Sequence, residues 1–168
     1  MKKLFFILSF MISVTFLYSQ NELNSLNTVL IIVDEEENNS FVTEATPFTD
    51  GIFKAMWEKE YIFFDLRLED PIKVVSNNLE VGPFIGAAKS SGADSILLIK
   101  IAYSSKKEGY GLRITATDLY YNIYSLNSMK TIKSGKKKIN INQRVDNVEQ
   151  KNAFLKNTGF DILYEIYE

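Results

Sequence analysis

Asp34-Glu35-Glu36-Glu37-Asn38-Asn39 is the densest run of oxygen donors in this 168-residue chain. Hard cations are held by carboxylate and carbonyl oxygens. The run also follows a β-branched stretch, whose end is where α/β folds place ligands. It misses the calcium-loop pattern: the sixth position is Asn39, and neither the turn Gly nor the closing Glu falls in place. The competing reading is a charged loop after a strand, kept wet by its own repulsion.

A basic run, Lys136-Lys137-Lys138, has Lys130 and Lys133 just before it. Such a run suits phosphate, lipid headgroups or an anionic polymer. On an edge strand, lysines serve another purpose and block edge-to-edge pairing. Tyr120, Tyr121 and Tyr124 form the densest aromatic cluster. Tyrosine brings rigid area and a hydroxyl to an interface, but it also packs well in a half-buried strand. In a strand, Tyr120 and Tyr124 share one face and Tyr121 takes the other, which leaves at least one of them exposed.

The chain has no His and no Cys. Ser-His-Asp and Cys-His nucleophiles are therefore excluded, as are zinc fingers and His- or Cys-held haem and iron–sulfur sites. Disulfides and a lipidated Cys are excluded too. Gly82, Gly86 and Gly92 fit neither a dinucleotide fingerprint nor a Walker A loop. Asp65, Asp70, Asp94 and Asp118 fall near strand ends, but no spacing selects a catalytic pair among them. The reading assigns no catalytic residue, no metal and no cofactor. Its binding candidates are Tyr120, Tyr121, Tyr124, Lys136, Lys137 and Lys138.

These residues need elements to position them. The leader MKKLFFILSFMISVTFLYS has a basic start, an apolar run over Leu4–Leu17 and a small residue, Ser19, before the expected cut. About 14 apolar residues are too few for a span, which takes about 20. Residues 1–19 thus read as a cleaved signal peptide and 20–27 as a flexible lead-in. No transmembrane span remains after cleavage. In the part left, 17 basic residues face 21 acidic ones, a net charge of −4. That balance argues against general nucleic-acid binding.

Residues 28–168 read as one α/β domain. Thr28–Val33 is a buried strand followed by the acidic loop. Thr46 caps a helix that opens on Pro47, ends near Glu60 and buries Phe48, Ile52, Ala55 and Met56, with Phe53 and Trp57 widening the stripe. Tyr61–Asp65 is a second strand, and 71–92 is ambiguous before a helix from Gly82-Pro83 that stops at Gly92. Ser95–Tyr103 is the strongest strand, and Ser104–Gly111 a charged turn. Alternation from Leu112, a turn at Asn127-Ser128 and a polar strand over Met129–Ile141 make an antiparallel ribbon. A closing helix over Val145–Tyr167 has Gly159 as its weak point. The predicted order is β-α-β-α-β-β-β-α, a single mixed-sheet sandwich.

The strand TVLIIVD, the segment FTDGIFKAMWEKEYIFFD and the stretch AAKSSGADSILLIKI, with the ribbon GLRITATDLYYNIYSLNSMKTI, resemble a bacterial envelope superfamily. Its members include the periplasmic domains of the curli-secretion channel CsgG, the penicillin-binding-protein activator LpoB and the N-terminal domain of TolB. Gly92-Ala93-Asp94 is the sharpest shared motif. The resemblance implies a non-catalytic domain that docks on other envelope proteins. The expectation is an exported adaptor, periplasmic or secreted, with the ribbon Tyr120–Lys138 as its contact surface and an envelope protein as its partner. A small-ligand or polymer-binding protein and a carboxylate-based hydrolase are the alternatives.

Overall fold

In a computed structural model, the structure describes residues 27–168; the leader and most of the lead-in lie outside the described residues. The expected mixed α/β sandwich is found. Its strands and helices in chain order are β1 Thr28–Glu37, β2 Ser40–Phe41, α1 Pro47–Glu58, β3 Ile62–Asp65, β4 Val74–Val75 and β5 Asn78–Leu79, then α2 Ile85–Ser91, β6 Ser95–Glu108, β7 Gly111–Ser125, β8 Lys130–Val145 and α3 Val148–Tyr167.

One sheet runs β2-β1-β6-β7-β8, with β3 also paired to β1. β1 is parallel to β3 and β6, and the β6–β7–β8 ribbon is antiparallel. The parallel pairs explain why Val29–Ile32 and Ile96–Ile99 read as unbroken apolar runs: both faces of these strands are covered. On one face α1 and α3 pack over Val29, Ile31, Leu97, Ile99, Ile114 and Leu119. On the other, α2 and the β4–β5 hairpin region cover Leu30, Ile32, Ile96 and Leu98.

Thr46 caps α1 as expected, its hydroxyl accepting from the Thr49 amide at 3.2 Å, with Pro47 in the first turn. The helix stops at Glu58, just short of Glu60, which sits in the left-handed region. Trp57 does not widen the buried stripe; it is 77% exposed at the end of the helix. The ambiguous stretch holds the short β4–β5 hairpin, turned by Ser76 and Asn77 at positive φ, and a 3-10 turn at Gly82–Phe84 leading into α2.

Gly92 ends α2 at φ 74°, as a C-terminal glycine should. The residues after it explain Gly92-Ala93-Asp94 physically. Ala93 is buried, while Asp94 receives the Thr28 amide on its carboxylate at 3.1 Å and gives its own amide to the Thr28 carbonyl at 2.8 Å. The motif thereby pins the start of β1 to the start of β6.

Three expected boundaries move. Ser104–Gly111 is not a loop, because β6 continues to Glu108 and turns only at Gly109-Tyr110. Val145 belongs to β8, where it is buried against the ribbon. The last helix begins at Val148 behind the cap Asn147, whose side chain accepts from the Gln150 amide at 2.8 Å; Val148 itself is exposed. Gly159 is no break either. The helix runs straight through it, and a Cβ there would lie 2.1 Å from the Phe48 carbonyl oxygen of α1. Reciprocally, a Cβ on Gly51 of α1 would lie 1.9 Å from the Lys156 carbonyl oxygen of α3. The two glycines let the helix backbones touch.

Candidate functional site

The acidic run is not a wet loop. Asp34 to Glu37 are the last four residues of β1, and only Asn38-Asn39 turn, both at positive φ, into β2. The strand continues because β6 runs beside it as far as Tyr103. The partners of the four carboxylates come from distant segments. Asp34, with none of its surface exposed, accepts the Ile72 amide at 2.6 Å and the Lys100 ammonium at 2.7 Å. Glu36 takes the same ammonium at 2.7 Å. On the opposite face, Glu35 accepts the hydroxyls of Thr46 and Thr49, and Glu37 pairs with Lys151 of α3.

Burial pushes the Glu35 carboxyl above its ordinary value, despite the lowering pull of the two threonine hydroxyls. Burial works against the Lys100 charge, yet hydrogen bonds and charges from Asp34 and Glu36 outweigh it and hold the ammonium above its usual range. Burial, reinforced by Glu35 and Glu37, drives the Tyr103 phenol well upward. The run is therefore committed to tying β1 to β6, α1 and α3. Among the described residues, no three His, Cys, Asp or Glu side chains converge to hold a metal. Asp65 and Asp70 are exposed, whereas Asp94 is the strand tether and Asp118 pairs with Lys136.

The six ribbon candidates divide between two faces. A register shift between Ala116 and Asp118 moves the alternation by one, so Leu119, Tyr121 and Ile123 continue the helix-covered face begun by Ile114 and Ala116. Tyr121 is thus packed with the α1–α3 core, opposite Gly135. Tyr120 and Tyr124 pack on the α2 side. All three rings are half-buried, so the expectation that one stands exposed is not met. The bulge and the β4–β5 hairpin, neither visible as alternation, account for this.

The lysines follow the same division. Lys137 turns to the helices and pairs with Glu165, while Lys133 donates to the Ile166 carbonyl at 2.8 Å, closing the end of α3. Lys136 and Lys138 point the other way. Lys136 lies 2.9 Å from Asp118 and 5.5 Å above the Tyr120 ring. Lys138 is exposed, stands opposite Asp118 in the ladder, and makes no ion pair among the described residues. β8 is an edge strand, as the lysine pattern suggests.

Beyond the β4–β5 hairpin, no element of the described residues covers the α2 side of the ribbon. Lys106 stands opposite Arg113, Arg113 opposite Arg144, and Thr115 opposite Asn142. Of these, Lys106, Thr115, Asn142 and Arg144 are exposed, as is Thr117 in the bulge. Arg113 is held by Glu108 and donates to the Asn142 side chain at 2.8 Å. Residue-by-residue reading missed this surface. A charge count over 100–145 would have found it: ten Lys or Arg against two acids, in a chain whose net charge is −2.

No family model matches the chain, and no curated protein does. Solved structures do. PelC from Paraburkholderia phytofirmans, solved as a dodecamer, superposes with a TM-score of 0.53 at 6% identity, over 82% of this chain and 86% of that one. The LpoB C-terminal domain from Salmonella enterica covers 73% of this chain and 95% of its own, at 15% identity and a TM-score of 0.44. TolB from Acinetobacter baumannii covers 83% of this chain and 27% of its own, at 11% identity and 0.42. The chain shares its fold with PelC. LpoB and TolB, which the sequence resembles in the segments quoted above, stand among its structural neighbours.

Proposed function

We propose that this chain is an exported, non-catalytic adaptor of the bacterial cell envelope that works by protein–protein contact through the β6–β7–β8 ribbon. The observation that carries the reading is the unequal cover of that ribbon. One face is roofed by α1 and α3, while among the described residues the other lies open beyond the hairpin with exposed Lys106, Lys138 and Arg144. The carboxylates of Asp34–Glu37, Asp94 and Asp118 are meanwhile spent on ion pairs, hydrogen bonds and a strand tether. Shared architecture with PelC, itself a multi-copy assembly, supports surface contact as the working mode of this fold. No helix of the described residues is long and apolar enough to cross a membrane. The leader supports export, and the envelope form should begin at Gln20 on N-terminal sequencing.

The division of the ribbon into two faces supports a narrower contact surface than the sequence alone. Tyr121 and Lys137 belong to the helix-covered face, so replacing them lowers stability as well as any binding. Lys136, Lys138 and the rim of Tyr120 carry the proposed contact. The test is a photo-crosslinking residue at position 138, with position 89 on exposed α2 as the control, in intact cells. A discrete protein adduct from 138 and none from 89 is expected. Equal adducts at both positions, or none at 138, defeat the assignment.

A further inference from the structure

The ribbon combines two features that ask for the same kind of partner. The first is its charge. Ten cations and two acids lie between residues 100 and 145, and on the open face Glu108 and Asp118 offset only Arg113 and Lys136. Lys106, Lys138 and Arg144 remain in excess there.

The second is the outer edge of β8 over Ser134–Lys138. β8 is the last strand of the sheet, and among the described residues no strand pairs with its outer edge over Ser134–Lys138. That stretch lies in regular register with Asp118–Asn122 between two irregularities. Its backbone therefore offers a short, straight template on which an extended chain can add. Along the template, Lys136 and Lys138 project to the open face two residues apart, a spacing of about 7 Å. Side chains of an added strand repeat at the same interval.

We infer that the partner segment is an acidic peptide stretch, extended, with Asp or Glu at alternate positions, which adds as a strand to the outer edge of β8 and sets its carboxylates against the cations left in excess on the open face, Lys138 first, Lys136 being held by Asp118 at 2.9 Å. This rests on the adaptor reading above and specifies the chemistry of its partner. The lysines then act as a filter. A second β8 would bring lysines against lysines and is repelled, whereas an alternating acidic strand gains the backbone ladder and neutralises the excess charge. An acidic glycan or an anionic lipid surface can match the charge, but neither can supply the amide ladder. An acidic partner also suits the neighbouring polar groups: the Thr115 hydroxyl and the Asn142 side-chain NH2 lie beside the cations where an apolar partner would want none, while Thr117 gives its hydroxyl to Asp118 at 3.3 Å.

The test uses the full chain and a labelled peptide of alternating Glu and Val, followed by fluorescence anisotropy. A peptide of the same composition with its glutamates in one block, a Lys–Val repeat, polygalacturonate and phosphatidylglycerol vesicles are compared. The alternating acidic peptide should bind most tightly, weaken with salt, and lose about tenfold or more with Lys106→Glu, Lys138→Glu and Arg144→Glu combined, the melting temperature staying unchanged. Bound peptide should slow amide exchange over 134–138. Equal binding of the blocked peptide, tighter binding of the glycan or the vesicles, unaltered affinity of the triple variant, or no added protection in β8 each overturns the inference. If crosslinking at position 138 captures a protein while the peptide fails, the adaptor reading stands and the acidic-strand partner falls; if 138 captures nothing, the adaptor reading itself fails.

Discussion

Replacing Gly159 by Ala tests whether the seam between α1 and α3 sets the stability of the domain. In an ordinary helix interior this change stabilises by about 1 kcal/mol, because Ala has the better helix propensity. Here the new methyl would lie 2.1 Å from the Phe48 carbonyl oxygen and 3.4 Å from the Ile52 amide nitrogen. Ordinary contact begins near 3.4 Å, so the helices must part by more than about 1 Å or the backbone must bend. Overpacking of this kind costs about 3 kcal/mol or somewhat more when the obstacle is backbone.

Set against the propensity gain, the net loss is about 2 kcal/mol. At about 2–4 °C per kcal/mol for a chain of this size, the melting temperature should fall by about 4–8 °C. Urea unfolding followed by circular dichroism measures the same loss as a lower midpoint at unchanged slope. Gly86→Ala is the control: it lies in α2, where an added Cβ meets nothing within 4 Å. That variant should be stabilised by about 0.5–1 kcal/mol. If Gly159→Ala is as stable as the parent, or gains like Gly86→Ala, the close approach of the two helices does not exist as described.

Three further outcomes follow from the buried polar groups. Burial raises the Glu35 carboxyl in the folded chain, so its contribution is fully present below its ordinary value near 4.5 and fades as pH climbs through the raised value. Glu35→Gln should therefore gain stability relative to the parent at pH 7 and not at pH 4; a constant difference in melting temperature across that range would refute it. Lys100→Met strands the buried Asp34 carboxylate and should cost about 3 kcal/mol in urea unfolding, with Asp34→Asn added to it recovering part of the loss. No loss in the single variant would show that Asp34 does not need its cation. Asp94→Ala removes the acceptor of the Thr28 amide and should cost about 1–2 kcal/mol, with faster amide exchange at Thr28 as the local signature.

Much of the fold is legible in short-range pattern. The cap at Thr46-Pro47, the stop at Gly92, the turn at Asn127-Ser128 and the unbroken apolar run of the strand buried over Ser95–Ile99 are carried by residues within a few positions of one another. The misread segments depend on distant ones. Asp34–Glu37 looks like a loop because four polar residues in a row predict water, and only Lys100, Thr46, Thr49 and Lys151 make them a strand. The candidate surface was half legible for the same reason. The lysines and tyrosines are where the pattern put them, but the bulge after Ala116 and the helix partners Glu165 and Ile166 decide which of them face outward.

The sequence by itself determined what this protein has no means to do with His or Cys, the capped helix starts and stops, and the balance of ten cations to two acids over 100–145. These are properties of composition and of local period, and no packing can alter them. The tertiary structure alone decided which charges are spent and which remain. A carboxylate or an ammonium is neutralised by whatever opposite charge the chain brings within about 3 Å of it, here from more than sixty residues away for Lys100 with Asp34 and Glu36. Glycine shows the same division: Gly159 is a helix-weakening residue in the sequence, and becomes the point of closest helix contact once α1 lies across it.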